Sequence, residues 1–203
     1  MKIIPSAHIV PEQVSSLLRQ HIEQFAHLTD EEWSHLRQHF YLQDLPKRSI
    51  FVQEGEISTL VGFVIQGSLR QYYITSEGDE RTTYFFFEGA LVGGYISFVA
   101  AKPSPVTIET MEDTQILTFP YKALEDLYDH FAQWEHFGRK LAEYLVVGLE
   151  ERLVEHLMYS PEQRYQRLLA SHRTKILERV PQQYVASYLG ITPVSLSRIR
   201  GRS

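Results

Sequence analysis

The segment RVPQQYVASYLGITPVSLSRIR, residues 179–200, decides how the C-terminal part of this chain folds. Pro181 suits the first turn of a helix, where its missing N–H would have no partner. Gly190 suits the end of that helix, because glycine tolerates a positive φ. Thr192 is a good N-cap for a second helix, and Pro193 is a good first-turn residue. The segment therefore predicts two short helices joined by a tight turn.

The second of these helices has two distinct faces. Leu196 and Ile199 fall on one side and are expected to pack inward. Ser195, Arg198 and Arg202 share another side, at positions i, i+3 and i+7. A short helix with arginines on its outer face can enter the major groove of DNA, so the pattern indicates a helix-turn-helix. The alternative is a plain helical hairpin whose arginines only face solvent.

The candidate DNA-binding residues follow from these faces. Arg198 can make a bidentate contact to guanine, and Val194 can touch a thymine methyl group. Thr192, at the helix N-terminus, suits a phosphate. The full candidate set is Gln183, Thr192, Val194, Ser195, Arg198, Arg200 and Arg202.

Charge is distributed unevenly along the chain, whose 203 residues carry a net charge of −5. Residues 160–203 contain eight basic and two acidic residues, a net +6, and the remaining 159 residues carry a net −11. A basic tail on an acidic body indicates a polyanionic partner for the tail alone. An ordinary solvated surface is the alternative.

The middle of the chain reads as short strands separated by turns. The segments rich in β-branched and aromatic residues are 49–52, 61–66, 68–74, 82–87, 106–110 and 115–119. Glycine and acidic turn signals, such as those at 54–56 and 76–79, lie between them. Many short strands with regular turns predict an antiparallel β-roll or jelly roll.

A long helix is predicted from about Ala132 to Met158. Leucine recurs there at every fourth residue, and each step of four advances the row by about 40° round the helix. The row therefore winds round the helix, which should be covered on two sides. We expect the β-roll on one side and a second copy of the chain on the other, with burial inside a monomer as the alternative. The candidate dimer residues are Leu141, Tyr144, Leu145, Leu149 and Leu153.

These elements give an α+β fold with three parts. Residues 1–131 form N-terminal helices and a β-roll sensor domain, 132–159 a dimerisation helix, and 160–203 a helix-turn-helix domain. In this arrangement the chain resembles the cyclic-AMP receptor protein/FNR family of bacterial transcription regulators. Residues 51–56 and 62–70 look like that family's first glycine turns. Residues 189–199 match its recognition segment, with Arg198 at the base-reading arginine.

The resemblance has two departures. Val194 replaces the glutamate that the family usually carries in the recognition helix, so the preferred DNA sequence cannot be copied across. Nucleotide-binding members also carry a glutamate for the ribose and an arginine for the cyclic phosphate. Gly94 and Pro103 stand at those positions here, so we expect no tight binding of cyclic AMP, because a buried phosphate needs a charge-matched partner.

Another small-molecule effector, or none, stays open for the β-roll. The candidate ligand residues are Tyr84, Phe86, Gly93, Gly94, Tyr95 and Ser104, and the alternative for the aromatic ones is that they are core. The resemblance implies double-stranded promoter DNA, a second copy of the chain and RNA polymerase as partners.

Several other classes are excluded or disfavoured by the sequence. It contains no cysteine, which excludes an FNR-type iron–sulfur cluster and disulfides. All nine histidines lie outside 41–120, so a metal-dependent β-roll enzyme is not expected. No run approaches the roughly 20 apolar residues of a membrane span, and no secretory signal is visible, so we expect a cytoplasmic protein without a cofactor.

One alternative function stays open. The sequence ends at Ser203, soon after the second helix, so we expect no β-hairpin wing there. This favours, to a small extent, a β-roll that binds a ligand or protein partner and no longer binds DNA.

Overall fold

The computed structural model describes residues 10–171 and 174–201. Its helices are α1 Glu12–Ile22, α2 Asp30–Arg37, α3 Tyr95–Ala100, α4 Tyr121–His130, α5 Ala132–Met158, α6 Pro161–Ala170, α7 Thr174–Arg179, α8 Gln182–Tyr188 and α9 Pro193–Arg200. Its strands are β1 Tyr41–Leu45, β2 Ile50–Val52, β3 Leu60–Gln66, β4 Leu69–Ile74, β5 Glu80–Phe86, β6 Leu91–Val92, β7 Thr107–Thr110 and β8 Thr114–Pro120.

The strands form two antiparallel sheets that face each other as a β-roll. One sheet has the order β1-β8-β3-β6 and the other the order β2-β7-β4-β5. Side chains alternate along each strand, so Leu69 and Phe86 point into the space between the sheets while Arg70 and Phe85 point outward. The predicted α+β fold with an antiparallel β-roll is confirmed.

Helices cover the outer face of the first sheet. α2 begins with a capping box, in which Thr29 and Glu32 satisfy each other's backbone N–H groups. The apolar faces of α1, α2 and α4 meet strands β3 and β8 in one core, together with Trp134 and Phe137 at the start of α5. The β-roll, its covering helices and the start of the long helix therefore share a single hydrophobic core.

The second half of α5 leaves this core. Leu141 is half-buried against this core and Leu145 is half-buried, whereas Leu149 and Leu153 are exposed. The row of leucines turns away because each step of four residues rotates it by about 40°. Within the described residues, no helix is both long enough and apolar enough to cross a bilayer.

Helices α6–α9, the C-terminal helical unit, have their own core. Ser160 and Gln163 form a capping box at the start of α6, and Pro161 occupies the first turn. Apolar side chains of all four helices pack together and extend onto Phe85 and Met111 of the β-roll. The unit therefore lies against the outer face of the second sheet.

Three elements of the structure, β1, β6 and α3, were not predicted from the sequence. β1 and the two-residue β6 complete the first sheet, and α3 lies in the connection between β6 and β7. β1 reads Tyr-Leu-Gln-Asp-Leu, whose two polar residues hide its pairing with β8. β6 forms by pairing with Gly62 and Phe63 of β3, a long-range contact that leaves no local signal in the sequence.

Candidate nucleic-acid interface

The turn between α8 and α9 has the local features that the sequence indicated. Gly190 has φ +69°, a conformation that side chains other than glycine rarely adopt. Thr192 caps α9 by accepting a hydrogen bond of 3.1 Å from the backbone N–H of Ser195. Pro193 follows in the first turn, where no backbone donor is needed. The chain therefore reverses in a few residues and starts the second helix in a defined direction.

The two faces of α9 separate as predicted. Leu196 and Ile199 are buried against α8, where Ala186 is fully buried and lets the helices approach closely. Val194 and Arg198 are exposed on the other side, and Arg200 is exposed in the last turn.

The remaining members of the candidate set lie at the edges of this surface. Gln183 on α8 and Thr192 are exposed, and Ser195 is half-buried with its hydroxyl 3.0 Å from that of Thr192. Arg202 lies outside the described residues. The structure therefore brings the described candidates to one end of the helical unit, and their contact with DNA stays a prediction.

The exposed arginines of α9 keep their charge available. Among the described residues, no carboxylate comes within ion-pair distance of Arg198 or Arg200. Their positive charge lies in the last turn of the helix, where it also opposes the partial negative charge of the helix end. The face is therefore cationic and able to approach phosphate oxygens.

Other basic residues of the tail have partners inside the chain. Lys175 lies 2.9 Å from Glu88, and Arg179 lies 2.8 Å from Glu88 and 2.6 Å from Glu112. The hydrogen bond from Arg179 and, more weakly, that from Lys175 outweigh the opposing effect of burial, and together they lower the pKa of Glu88 to about 2. The sequence predicted a polyanionic partner for the whole tail, and these two charges instead face acidic groups of the β-roll.

Arg164 also serves the fold. It donates to the carbonyl oxygens of Leu189, at 3.1 Å, and Tyr159, at 3.0 Å. These carbonyls lie at the ends of α8 and α5, where helix oxygens lack internal partners. This role cannot be predicted from the sequence, because it depends on a tertiary contact between the ends of two helices.

The candidate dimer residues differ in exposure along α5. Tyr144, Leu149 and Leu153 are exposed, whereas Leu141 and Leu145 are half-buried. Further exposed apolar residues of α5 lie outside the candidate set, and of these Val154 and Met158 were not singled out from the sequence. The exposed face of α5 consists of Tyr144, Val146, Val147, Leu149, Leu153, Val154, Leu157 and Met158.

The candidate ligand residues give a mixed picture. Phe86 is buried between the sheets, whereas Tyr84 and Tyr95 are largely exposed. Ser104 is buried, and its hydroxyl donates to the carbonyl of Val106 at 2.9 Å. Phe86 therefore fits the alternative of a core residue, and the hydroxyl of Ser104 already has a partner.

Gly93 and Gly94 leave little room for a ligand-binding side chain. A Cβ at Gly94 would lie 2.7 Å from Cβ of Ser58, and one at Gly93 would lie 2.6 Å from the ring of Phe98. A glutamate at Gly94 would require its surroundings to move. Within the described residues, no three histidine, aspartate or glutamate side chains are grouped to hold a metal.

Comparison with known proteins gives one domain and several relatives. Residues 42–131 match the family model of the cyclic nucleotide-binding domain. The chain is 24% identical over 165 residues to the fumarate and nitrate reduction regulatory protein of Vibrio cholerae, a match that covers 76% of this chain. It spans only 65% of the length of that relative.

Solved structures share the fold. FixK2 from Bradyrhizobium japonicum superposes with a TM-score of 0.67 at 18% identity, covering 80% of this chain and 83% of its own. A transcriptional regulator of the CRP/FNR family from Eubacterium rectale gives a TM-score of 0.67 at 19% identity, covering 85% and 82%. The likeness extends over both the β-roll and the helical regions of the chain.

Proposed function

We propose that this chain, a member of the cyclic-AMP receptor protein/FNR family, is a dimeric transcription regulator that binds specific DNA sequences through α9. One observation carries this proposal: α9 buries Leu196 and Ile199 and presents Val194, Arg198 and Arg200 to solvent. A cationic helix face of this kind fits the major groove, whose base edges arginine can read.

The three parts predicted from the sequence then have separate roles. Residues 1–131 act as sensor, 132–159 as the dimerisation helix, and 160–203 as the DNA-binding domain. The tight packing around Gly94 and the absence of an arginine at Pro103 support a nucleotide site that no longer takes cyclic AMP. The proposal includes a small-molecule effector other than cyclic AMP for the β-roll and RNA polymerase as a further partner of the protein.

The exposed face of α5 supports a symmetric dimer. Val146, Leu149 and Leu153 follow one another at spacings of three and four residues, which suit the seam of a two-stranded coiled coil. A second copy of the same helix presents the same seam, so the face is complementary to itself. Such a dimer carries two copies of α9 and requires a nearly palindromic site, with half-sites about one helical turn apart.

Gel-shift titration of Arg198→Ala tests the DNA-binding face. The wild-type site is first selected from random genomic fragments at low salt, and binding of the protein should weaken steeply as salt rises. Loss of one bidentate base contact in each half-site should reduce specific affinity at least about tenfold. Arg81→Ala, which removes an exposed arginine paired with Asp79 on the β-roll, is the matched control and should bind as wild type.

Two results would contradict the proposal. Equal specific binding by Arg198→Ala and wild type would show that α9 does not read bases. Absence of wild-type binding even at low salt would favour the alternative, a β-roll module that binds a ligand or protein partner.

A further inference from the structure

The C-terminal helical unit is fastened to the β-roll around one buried arginine. The side chain of Arg70, on β4, is only 3% exposed and lies 2.6 Å from Glu109 and 2.5 Å from Glu80. Its guanidinium lies between two aromatic rings, 4.2 Å from the centre of Tyr72 and 3.9 Å from that of Tyr184. Tyr184 belongs to α8, so a cation–π contact joins the sheet to the helix-turn-helix.

A second contact closes the edge of the same sheet. β5 is the last strand of its sheet, so its outer backbone groups face no other strand. The hydroxyl of Ser187, on α8, accepts from the N–H of Thr82 at 2.9 Å and donates to the carbonyl of Glu80 at 3.0 Å. One serine therefore satisfies two backbone groups of the β-roll from the helix that supports α9.

A third contact is ionic and more exposed. Arg179, at the end of α7, donates to Glu88 and Glu112, and Lys175 adds a second cation beside Glu88. The β-roll therefore supplies carboxylates and the helical unit supplies cations. The three contacts together are the dock: Arg70, Glu88 and Glu112 of the β-roll with Arg179, Tyr184 and Ser187 of the helical unit.

The dock is a second attachment of the helical unit. The first lies beside the connection at Tyr159 and Ser160, where Arg164 donates to the carbonyls of Tyr159 and Leu189 and Arg152 of α5 donates to that of Tyr188. Attachment to the sheet on another side further restricts rotation about this connection. Because α9 packs on α8, holding α8 also holds the recognition face.

We infer that the dock holds α9 at one position relative to α5 and thereby sets the half-site spacing that the dimer accepts. This inference rests on the proposed function, since spacing has meaning only for a dimer that binds DNA. It assigns a positioning role to residues that lie outside the exposed face of α9. Releasing the dock should broaden the accepted spacing without changing how one half-site is read.

The triple variant Glu88→Gln, Glu112→Gln, Ser187→Ala tests this role. Glutamine removes charge at both sites but keeps an acceptor for the backbone N–H of Gly67 and the hydroxyl of Ser68, which bond to these side chains. Arg70 stays in place, because removing one member of a buried ion pair endangers folding. Glu54→Gln with Glu77→Gln, two exposed carboxylates elsewhere on the β-roll, is the matched control.

Two measurements are needed. Hydrogen exchange in the absence of DNA follows the N–H of Thr82, which should exchange at least about tenfold faster in the triple variant than in wild type or control. Gel shifts then use operators with identical half-sites and spacers changed by one base pair at a time. The loss of affinity at the altered spacings should be at least about fivefold smaller in the triple variant, with equal affinity for a single half-site.

The outcomes separate the inference from the proposed function. Unchanged exchange at Thr82 would show that the dock does not hold α8, and would overturn the inference. Faster exchange with an unchanged spacing profile would show that the dock does not set spacing, and would overturn it as well. A wild-type protein that binds no DNA overturns both ideas, and is recognised by the loss of single half-site binding in every variant.

Discussion

Replacing Leu153 with glutamate should convert the proposed dimer into monomers. Leu149 is 70% exposed, Leu153 58% and Leu157 73% in a single copy of the chain. Apolar side chains exposed in a row on one helix lose stabilisation to water unless another surface covers them. A second α5 is the partner that the three-and-four spacing favours.

The size of the effect follows from burial. Full burial of a leucine side chain contributes about 1.5–3 kcal/mol. Leu153 has 58% of its surface left to bury, so each copy contributes about 1–2 kcal/mol and the pair about 2–4 kcal/mol. Glutamate loses this contribution and places two like charges at the symmetric seam. The dissociation constant should rise at least about 30-fold, since each 1.4 kcal/mol corresponds to a factor of ten.

Sedimentation equilibrium over a wide concentration range measures this constant. Leu141→Ala is the matched control, because the same residue type on the same helix is there half-buried against the core that α5 shares with the β-roll. That variant should lower the melting temperature and leave the dissociation constant within about threefold of wild type. If Leu153→Glu stays dimeric with the wild-type constant, the exposed face of α5 is not the interface.

Two further predictions concern stability. Glu88 has a pKa lowered to about 2, chiefly by Arg179, so its ion pair stabilises the fold fully above about pH 4.5 and progressively less as pH falls towards 2. Denaturant titrations should give wild type an advantage of about 1–2 kcal/mol over Glu88→Gln at pH 7, vanishing near pH 2, and an advantage independent of pH would contradict the pairing. Gly67→Ala should destabilise by more than about 2 kcal/mol, because φ is +100° and the new Cβ would lie 2.5 Å from Oγ1 of Thr114. Gly78→Ala, at φ +86° with open space around it, should lose only about 1 kcal/mol in the same assay, and equal losses would refute the steric argument.

Local signals account for what the sequence could predict. The turn at Gly190, the cap at Thr192 and the break at Ser160 each depend on residues within one helical turn. The winding of the leucine row along α5 follows from helix geometry alone. These features predicted the long helix and the helix-turn-helix, and the short strands and turns of the middle segment predicted the β-roll, without knowledge of any long-range contact.

Pairing across the chain accounts for what the sequence could not predict. Arg179 meets Glu88 across 91 positions, and Ser187 meets the carbonyl of Glu80 across 107. Neither spacing carries a local pattern, because surface charges and serines are frequent everywhere. Arg70 reads as a solvent-facing strand residue until a helix covers its side of the sheet.

The uneven charge of the chain therefore supports two kinds of interaction: ion pairs inside the chain and the proposed binding of α9 to DNA. The acidic body attracts part of the basic tail through Glu88 and Glu112, and the arginines of α9 extend beyond those pairs. The ion pairs of the dock and the proposed contacts of α9 with DNA phosphates both weaken with added salt. Salt shortens the range of electrostatic attraction, to about 8 Å at physiological ionic strength. A salt titration of DNA binding consequently reports the loss of phosphate contacts together with loosening of the dock. Only a comparison of the triple variant with wild type at equal salt separates the two, because the variant has already lost the ionic part of the dock.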